Sequence, residues 1–299
     1  MARLWISGSS GFIGKHLYNY LKNFYDITCL SHHNNTLLPT THNHFKLNFQ
    51  DRSEIDSLIS KFGIPDIFIH LGWGDMENPS SSVHLKENVL ISKNLIDSFF
   101  EHGLQKFIFI GSVEEYGEKN RLLSEHSIPK GTLTNYGKGK YFVANYGLNK
   151  QKHSNQSFIH IRLCNSYGSG QRPTSLINYL YNAASTNQKA IVDPGNIFRD
   201  CIHISEVIFG IKLLLEQNHS FTVNLGSGKM ISLQHFILEF WSQLNQKKEN
   251  LIFKSNFGFH DSLRDAHVDL SLLYKITHWK PSLSLKDGIR MTLQDMSLK

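Results

Sequence analysis

The chain has few cysteines and no long apolar segment. Its three cysteines, Cys29, Cys164 and Cys201, are scattered over 299 residues. An odd and scattered set argues against a disulfide framework and against a cysteine-rich metal site. No stretch approaches the roughly 20 consecutive apolar residues of a membrane-spanning helix. The first residues run straight into a strand pattern and leave no room for a signal peptide, so we expect a cytoplasmic protein with no membrane partner.

Strong charge and metal-binding patterns are missing as well. The formal net charge is +6, which suits an anionic substrate, nucleic acid or simply a basic surface. No run of Lys and Arg and no RNA-binding motif is present, so we expect no nucleic-acid partner. The 17 histidines are spread along the chain without a His-Glu-x-x-His pattern, and we expect no metal site.

The first half of the chain alternates apolar runs with helical patterns. Strands are predicted at residues 4–6, 27–30, 45–47, 66–71 and 106–110, and helices at residues 11–24, 53–62 and 83–101. Strands that alternate with helices predict a parallel sheet with right-handed crossovers. The fold class is therefore α/β, with a doubly wound parallel sheet of the Rossmann type.

The second half continues this pattern and then becomes less regular. Helices are predicted at residues 135–150, 175–184, 205–216, 232–244 and 285–296, and strands at residues 158–163, 190–192 and 222–225. We expect residues 1–165 to form mainly the Rossmann domain and residues 166–299 mainly a smaller lobe, with some segments returning to the first domain. Ligands of such folds bind outside the carboxyl ends of the strands.

A glycine-rich turn follows the first predicted strand and opens the first predicted helix. It consists of Gly8, Ser9, Ser10, Gly11, Phe12, Ile13 and Gly14. Gly8 permits a tight turn, Gly11 lets the backbone approach a pyrophosphate, and Gly14 lets helix and strand pack closely. The helix N-terminus adds N–H donors and a positive dipole end for the anion. In this context the glycines predict dinucleotide binding rather than an ordinary turn.

The end of the second predicted strand carries no acid. Folds that bind NAD commonly place an acid there to bind the ribose 2′-hydroxyl. Here the segment begins with Ser31, His32 and His33, which suit a 2′-phosphate better than an unmodified ribose. NADP(H) is favoured and NAD(H) is possible; the plain alternative is an ordinary loop.

Tyr136 and Lys140 lie four residues apart near the start of a predicted helix, so both face one side. A nearby ammonium favours a phenolate, and we expect Lys140 to lower the pKa of Tyr136 from its usual value of about 10. Such a pair can exchange a proton with a hydroxyl or carbonyl while a nicotinamide exchanges hydride. Ser112 follows the strand at residues 106–110, where a substrate oxygen would lie. Taken alone, Tyr136 and Lys140 could also be an ordinary pair of surface residues, and Ser112 could be an ordinary turn residue.

Together these residues resemble the extended short-chain dehydrogenase/reductase family, in particular its nucleotide-sugar epimerase, dehydratase and 4-ketoreductase branch. The resemblance covers nearly the whole chain. Besides the glycine turn and the Tyr136/Lys140 pair, it is carried by residues 110–117, 162–173, 199–204, 224–228 and 279–281.

The resemblance implies a fuller set of site residues. Catalytic roles fall on Ser112, Tyr136, Lys140 and Glu114. Cofactor contacts fall on Gly8, Ser10, Gly11, Phe12, Ile13, Gly14, Ser31, His32, Asn48, Phe49, Leu71, Gly72, Trp73, Asn88, Tyr136 and Lys140. Substrate contacts fall on Val113, Asn165 and Arg199. A later Arg that often binds the diphosphate in the family has no clear equivalent here, and His260 or Arg264 is the candidate to replace it.

Several positions depart from the family pattern. The usual residue at Asn48 is Asp, and Trp73 is bulkier than usual and would shape the sugar pocket. Arg199 suits a substrate diphosphate, although a surface ion pair with Asp200 is an alternative. Val113 stands where many 4,6-dehydratases have an Asp, which disfavours elimination.

The activity that the resemblance implies is NAD(P)-dependent reduction of an NDP-4-keto-6-deoxyhexose at C4. An NDP-sugar 4-epimerase with retained NAD(P) needs the same residues and stays open, and a 4,6-dehydratase is less favoured. More distant alternatives are a nonenzymatic dinucleotide-binding protein, a redox sensor or an RNA-binding protein. The family also implies a homodimer formed through the helices at residues 83–101 and 135–150.

Overall fold

A computed structural model describes residues 1–32, 43–117, 122–150, 156–254 and 267–297. The strands are β1 (Arg3–Ser7), β2 (Asp26–Ser31), β3 (His44–Lys46), β4 (Ile67–His70), β5 (Lys106–Ile110), β6 (Leu122–Leu123), β7 (Ser157–Leu163), β8 (Asn165–Tyr167), β9 (Ala190–Val192), β10 (Phe198–His203), β11 (Phe221–Leu225), β12 (Met230–Ser232), β13 (Leu251–Phe253) and β14 (His267–Val268). The α-helices are α1 (Phe12–Leu21), α2 (Arg52–Phe62), α3 (Val89–Glu101), α4 (Asn135–Lys150), α5 (Leu176–Ser185), α6 (Ile204–Leu214), α7 (Leu233–Gln243), α8 (Ser271–Thr277) and α9 (Leu285–Ser297).

The chain forms two compact units, each built from several segments. Unit 1 comprises Met1–Gly117, Ile128–Leu163 and Ile208–Asn224, and unit 2 comprises Glu118–Ser127, Cys164–Val207 and Leu225–Lys299. The functions expected of the two predicted domains remain predictions. None of the helices in the described part of the chain has the length and apolar character needed to cross a membrane.

Unit 1 is organised around a seven-stranded sheet in the order β11-β7-β5-β4-β1-β2-β3. The pairings of β1 with β2 and β4, of β2 with β3, of β4 with β5 and of β5 with β7 are all parallel. The chain moves outward from β1 to β3 and then returns to place β4 on the other side of β1. This reversal of strand order is the switch point at which such sheets bind ligands. The predicted Rossmann-type α/β fold is confirmed.

The central strands are mainly apolar because helices cover both faces of a parallel sheet. In β5, Phe107, Ile108 and Phe109 are all fully buried. The Phe68 ring stacks on Phe99 of α3 with centroids 4.1 Å apart, and Phe107 stacks on Phe158 of β7 at 5.3 Å. This aromatic layer fixes the strands whose carboxyl ends carry the candidate site.

Within its described residues, unit 2 contains three small sheets, of which β12-β10-β8 is the largest. The parallel pairing of β8 with β10 places Asn165 opposite Cys201. Its apolar core is formed around α5, α7 and α9 and includes Leu180, Phe240, Trp241 and Ile289.

Two features of the fold differ from the sequence-based expectation. The helix predicted at residues 83–101 is divided into a π-helix, His84–Asn88, followed by α3. Apolar periodicity locates a helix but does not reveal a wider turn. The strands β8, β10 and β12, which are short and lack a clear apolar alternation, are not among the predicted strands.

Candidate active site

The glycine turn between β1 and α1 lies against the loop that follows β4. Gly8 has a φ of +76°, and a Cβ atom there would come within 2.5 Å of the Gly72 amide nitrogen. A Cβ atom on Gly14 would come within 2.3 Å of the Gly8 carbonyl oxygen. The two glycines are therefore required for this close packing, as the sequence predicted.

The start of α1 offers donors that suit a pyrophosphate. Gly11 is the N-cap of α1, and no side chain caps the helix there. Uncapped N–H groups and the positive end of the helix dipole are a typical anion site. Gly11 is exposed, while Ser10, Phe12 and Ile13 are half-buried around it. These residues fit a dinucleotide, and their individual contacts with it remain predictions.

At the carboxyl end of β2, the Ser31 hydroxyl lies near two imidazole rings. Ser31 Oγ lies 2.9 Å from His44 Nε2, a neighbour that the sequence did not suggest. His32 Nδ1 lies 3.2 Å from the Leu47 carbonyl oxygen, and its ring stacks on Phe49 with centroids 6.0 Å apart. Since a carbonyl only accepts, Nδ1 is the nitrogen that carries a proton. His33 lies outside the described residues.

The two residues predicted beside the adenine differ in exposure. Asn48 is exposed, and its side chain accepts a hydrogen bond from the Gln50 N–H at 3.2 Å. Phe49 is 5% exposed and belongs to the apolar core of unit 1. Contact with an adenine remains a prediction for both residues. Phe49 is buried, and its stack with His32 connects it to the end of β2.

Asn88 holds the loop that follows β4. Its Oδ1 accepts the Gly74 N–H at 2.9 Å, and its Nδ2 donates to the Gly74 carbonyl at 3.0 Å. Leu71, Gly72 and Trp73, the predicted cofactor contacts just before Gly74, are half-buried. Asn88 itself is 6% exposed, so its visible function is to shape this loop.

Two buried histidines connect the strand ends, and sequence reasoning assigned neither a role. His70 Nδ1 lies 2.6 Å from Ser7 Oγ at the end of β1, and His70 Nε2 lies 2.9 Å from Ser92 Oγ of α3. Burial, together with the charge of Lys140, lowers the pKa of His70 to about 3, so its ring is neutral. The sequence shows His70 only as part of an apolar strand and gives no signal of this network.

His84, the second buried histidine, links Trp73 to the site. Trp73 Nε1 donates to His84 Nδ1 at 3.0 Å, and His84 Nε2 lies 2.8 Å from the Asn78 carbonyl oxygen. An indole N–H only donates and a carbonyl only accepts, so these contacts select the tautomer protonated on Nε2. The His84 and Trp73 rings contact the Tyr136 ring edge-on, with centroids 5.4 and 6.2 Å away.

Ser112 caps a short 3₁₀-helix, Val113–Tyr116, at the end of β5. Its Oγ accepts the Glu114 N–H at 3.2 Å, and its own N–H donates to Glu115 at 2.8 Å. The Ser112 side chain lies near enough to the Tyr136 hydroxyl to lower the pKa of that group. Val113 is 2% exposed, and Glu114 is half-buried. The structure thus brings Ser112 and Tyr136 together, as their predicted roles require.

Tyr136 is anchored at the start of α4 by the segment before His84. Its N–H donates to the Pro79 carbonyl at 2.9 Å, and Asn135 Nδ2 donates to the Ser80 carbonyl at 2.8 Å. Burial raises the pKa of Tyr136, the Ser112 hydrogen bond opposes this, and the charges of Glu115 and Glu114 raise it further. The expected lowering of this pKa by Lys140 is wrong for this arrangement.

The Lys140 ammonium is held by the end of β5 and the Trp73 ring. Its Nζ donates to the Ile110 carbonyl at 2.6 Å and lies 4.0 Å from the Trp73 ring centre, but 6.0 Å from the Tyr136 ring centre. Lys140 is 3% exposed, and burial lowers its pKa to about 7 against the opposing charge of Glu115. Near neutral pH, Lys140 is therefore only partly protonated.

The predicted diphosphate contacts lie on the strands of unit 2. Asn165 begins β8, and its Nδ2 is buried without a hydrogen-bond partner in the described part of the chain. Arg199 lies on β10 and donates from Nη1 to the Phe198 carbonyl at 3.1 Å. Asp200 is fully buried and accepts the Ser227 and Gly228 N–H groups, so a surface ion pair does not describe it. His260 and Arg264 lie outside the described residues.

Comparisons with known proteins show what the chain is similar to. A family model described as the NAD dependent epimerase/dehydratase family matches residues 4–226. A dTDP-4-dehydro-6-deoxyglucose reductase of Escherichia coli is 27% identical, covering 86% of this chain and 84% of the relative. A putative UDP-glucose 4-epimerase of Methanocaldococcus jannaschii is 24% identical, covering 97% of both chains. The crystal structure of a dTDP-glucose 4,6-dehydratase from Bacillus anthracis, in complex with NAD, has the same fold, with a TM-score of 0.85, 18% identity and coverage of 100% of this chain and 97% of that chain.

Proposed function

This chain belongs to the NAD-dependent epimerase/dehydratase family and is an NAD-dependent nucleotide-sugar enzyme, and we propose that it reduces the 4-keto group of an NDP-4-keto-6-deoxyhexose. The observation that carries the proposal is the placement of Ser112, at the end of β5, beside the hydroxyl of Tyr136, whose pKa is raised by burial. A phenol with a raised pKa stays protonated at neutral pH and is ready to give a proton to a ketone. An epimerase first needs the opposite state, because a phenolate must take the proton from the 4-hydroxyl.

Ser112 and Tyr136 have different roles at the keto oxygen of the substrate. Ser112 holds the keto oxygen, and Tyr136 transfers a proton to it as it becomes a hydroxyl. The dinucleotide, when bound along residues 8–14, supplies the hydride. Lys140 holds the cofactor ribose, as the family resemblance implies, and keeps its side chain between Trp73 and the end of β5. Val113 is apolar and buried, so no acid stands directly after Ser112 to expel water.

Turnover with a panel of nucleotide sugars tests the proposal. The protein is incubated with 4-keto-6-deoxyhexoses carried on dTDP, CDP or GDP, and oxidation of the reduced cofactor is followed by absorbance. Tyr136→Phe should lower kcat by roughly 10²–10⁴-fold with nearly unchanged substrate affinity, and Ser112→Ala should have a milder effect. Wild-type turnover by Tyr136→Phe would refute the site. Interconversion of UDP-glucose and UDP-galactose without added cofactor would instead identify an epimerase.

For the cofactor, we propose a preference for NADP(H) over NAD(H). The sequence carries no acid after β2, and Ser31, His32 and His44 lie close together there. His32→Asp should lower the ratio of kcat/KM for NADPH over NADH by about tenfold, equivalent to about 1.4 kcal/mol. His219→Asp makes the same change at an exposed residue beside β11, the opposite edge of the sheet, and should leave the ratio unchanged. A wild-type preference for NADH would contradict this proposal.

For assembly, we propose a homodimer formed through α3 and α4. Leu90 of α3 is 44% exposed and Phe142 of α4 is 49% exposed, and burial of such side chains would favour association. Phe142→Glu should shift the sedimentation coefficient to that of a monomer. Phe24→Glu, at an exposed position after α1, should leave it unchanged. A wild-type monomer at micromolar concentration would refute the proposal.

A further inference from the structure

The Glu115 carboxylate is buried directly beside the backbone of Ser112. Its Oε1 accepts the Ser112 N–H at 2.8 Å and lies 3.0 Å from His160 Nε2. Its Oε2 accepts from Arg162 Nε at 3.2 Å. Glu115 and His160 are both fully buried. Both carboxylate oxygens thus have hydrogen-bond partners. One partner is Ser112, the residue proposed to hold the substrate oxygen.

The strand register brings these groups together. His160 and Arg162 are two residues apart in β7, so their side chains lie on one face. Ile161 pairs with Ile110 at the end of β5, which places Gly111 beside them. A Cβ atom on Gly111 would come within 2.2 Å of Glu115 Oε1 and 2.3 Å of His160 Nε2. The carboxylate can approach the Ser112 backbone only because residue 111 is glycine.

Charge balance keeps Glu115 ionised in this buried position. Burial raises its pKa, but the charges and hydrogen bonds of His160 and Arg162 and the Ser112 N–H outweigh burial and lower it. A buried ion pair of this kind contributes little net stability compared with apolar packing. Its specific effect is to fix the geometry of the group that it touches.

We propose that Glu115 is a positioning residue: anchored by His160 and Arg162, its carboxylate fixes the turn that aims the Ser112 hydroxyl at Tyr136. The inference rests on the proposed function, because Glu115 acts only through Ser112. A misplacement of about 1 Å at such a contact can cost up to about 10²-fold in rate.

Replacement of Glu115 by glutamine separates this role from simple space filling. An amide of the same shape accepts on its oxygen and donates on its nitrogen. If the glutamine oxygen accepts from Arg162, its NH₂ group faces the Ser112 N–H, and two donors meet there. If the oxygen accepts from the Ser112 N–H instead, the NH₂ group faces the Arg162 guanidinium, which is also a donor. Because hydrogen bonds to charged groups are the stronger ones, we expect the oxygen to face Arg162 and the Ser112 turn to move.

A second contact of the same turn supplies a matched control. The Arg162 guanidinium lies 4.3 Å from the Tyr116 ring centre, and the Tyr116 hydroxyl donates to Asn224 Oδ1 at 2.7 Å. Tyr116→Phe removes a buried hydrogen bond from this turn without touching Ser112. It should destabilise the protein but leave kcat within about twofold of wild type.

The test is a double-mutant cycle, with turnover measured on the 4-keto-6-deoxyhexose nucleotide of the panel that the wild type reduces fastest. Glu115→Gln should lower kcat by roughly tenfold with KM nearly unchanged, because it disturbs the reacting group rather than substrate binding. In the Ser112→Ala background the same change should lower kcat by less than about twofold, since Glu115 acts through Ser112. Equal losses in the two backgrounds would overturn the proposal.

Two further measurements keep the result decisive. A crystal structure of Glu115→Gln should show Ser112 displaced from Tyr136, and an unmoved Ser112 turn would overturn the proposal without any substrate. If Glu115→Gln does not fold, His160→Phe retains a ring beside Phe109 and removes the donor, and it enters the same cycle. Failure of the proposed function is distinct, because the wild type would then reduce none of the 4-keto-6-deoxyhexose nucleotides, or Ser112→Ala and Tyr136→Phe would leave that turnover unchanged.

Discussion

At the scale of single residues, burial of the Lys140 ammonium in the candidate site lowers the stability of the folded chain. Its ammonium is buried among Trp73, Phe109 and the end of β5, and its pKa is lowered to about 7 by that burial. In the unfolded chain a lysine has its ordinary pKa of about 10.4. Between these two values the unfolded chain binds more protons than the folded chain, so stability rises with pH across that range. Below about pH 7 both states are protonated and the full cost of burying the charge remains.

Lys140→Met should therefore stabilise the protein near neutral pH while it impairs turnover. The full change in pKa corresponds to about 5 kcal/mol, and the lost hydrogen bond to the Ile110 carbonyl offsets roughly 1–3 kcal/mol of it. We expect a net gain of about 2–4 kcal/mol in the free energy of unfolding at pH 6–7, which shrinks towards pH 10. Urea denaturation of both proteins at several pH values measures this. A constant difference between pH 6 and pH 10 would show that Lys140 is not buried as a charge.

At the scale of elements, the β1–α1 turn requires its glycines for different reasons. Gly14 sits where a Cβ atom would meet the Gly8 carbonyl at 2.3 Å, which is a clash with backbone. Gly11 is exposed, and a Cβ atom there would lie 3.3 Å from the same oxygen, a tight contact that small shifts can relieve. Gly14 is therefore needed for the packing of the fold, while Gly11 leaves space for a ligand at the helix N-terminus.

Alanine at these two positions should separate stability from ligand binding. Gly14→Ala should lower the free energy of unfolding by roughly 2–4 kcal/mol, because α1 must move away from the turn. Gly11→Ala should change stability by less than about 1 kcal/mol, yet weaken NADPH binding by at least about tenfold. Chemical denaturation and calorimetric titration give the two quantities. Equal destabilisation by both variants would contradict the separate roles.

The element that contains His84 shows what local patterns miss. The sequence predicted one continuous helix from residue 83, whereas a π-helix places His84 and Asn88 where they reach Trp73 and Gly74. Asn88→Ala would leave the N–H and carbonyl of Gly74 without these partners. We expect a loss of about 2 kcal/mol in the free energy of unfolding. Asn149→Ala should cost less than about 0.5 kcal/mol, because the Asn149 side chain is exposed and its amide donates to the Asn145 carbonyl of the same helix. Equal effects in urea denaturation would contradict a special role for Asn88.

At the scale of the whole molecule, the order of the strands brings together the residues predicted to bind the cofactor and to act in catalysis. The ends of β1, β4 and β5 lie side by side in the unit 1 sheet, although they are far apart in the sequence. They carry the glycine turn, the Trp73 loop and Ser112, and α4 adds Tyr136 and Lys140. Because ligand binding to these ends involves only the folded chain, it must stabilise the whole of unit 1.

Dinucleotide binding should therefore be visible in unfolding experiments. NADPH at 100 times its dissociation constant should raise the free energy of unfolding by about 2.7 kcal/mol. NADH at the same concentration should raise it less if the cofactor proposal holds. Gly11→Asp places a negative charge at the helix N-terminus and should abolish the shift in a protein that is otherwise folded. A full shift in that variant would place the dinucleotide elsewhere.

The sequence by itself determined the elements and motifs that depend on neighbouring residues. The bounds of β5 and α4, the glycine turn and the four-residue spacing of Tyr136 and Lys140 all follow from local pattern. Local rules suffice there, because strand and helix periodicity and turn geometry depend on residues a few positions apart. The same pattern of alternating strands and helices was enough to predict the parallel sheet.

Only the tertiary structure decided how the site residues are charged and held. It placed Lys140 against Trp73 and Ile110, and it buried Tyr136, which reversed the expected change in the pKa of Tyr136. It also paired Glu115 with His160, a contact across 45 residues that no local pattern encodes. Burial and long-range charge set these properties, and both depend on which strands become neighbours when the chain folds.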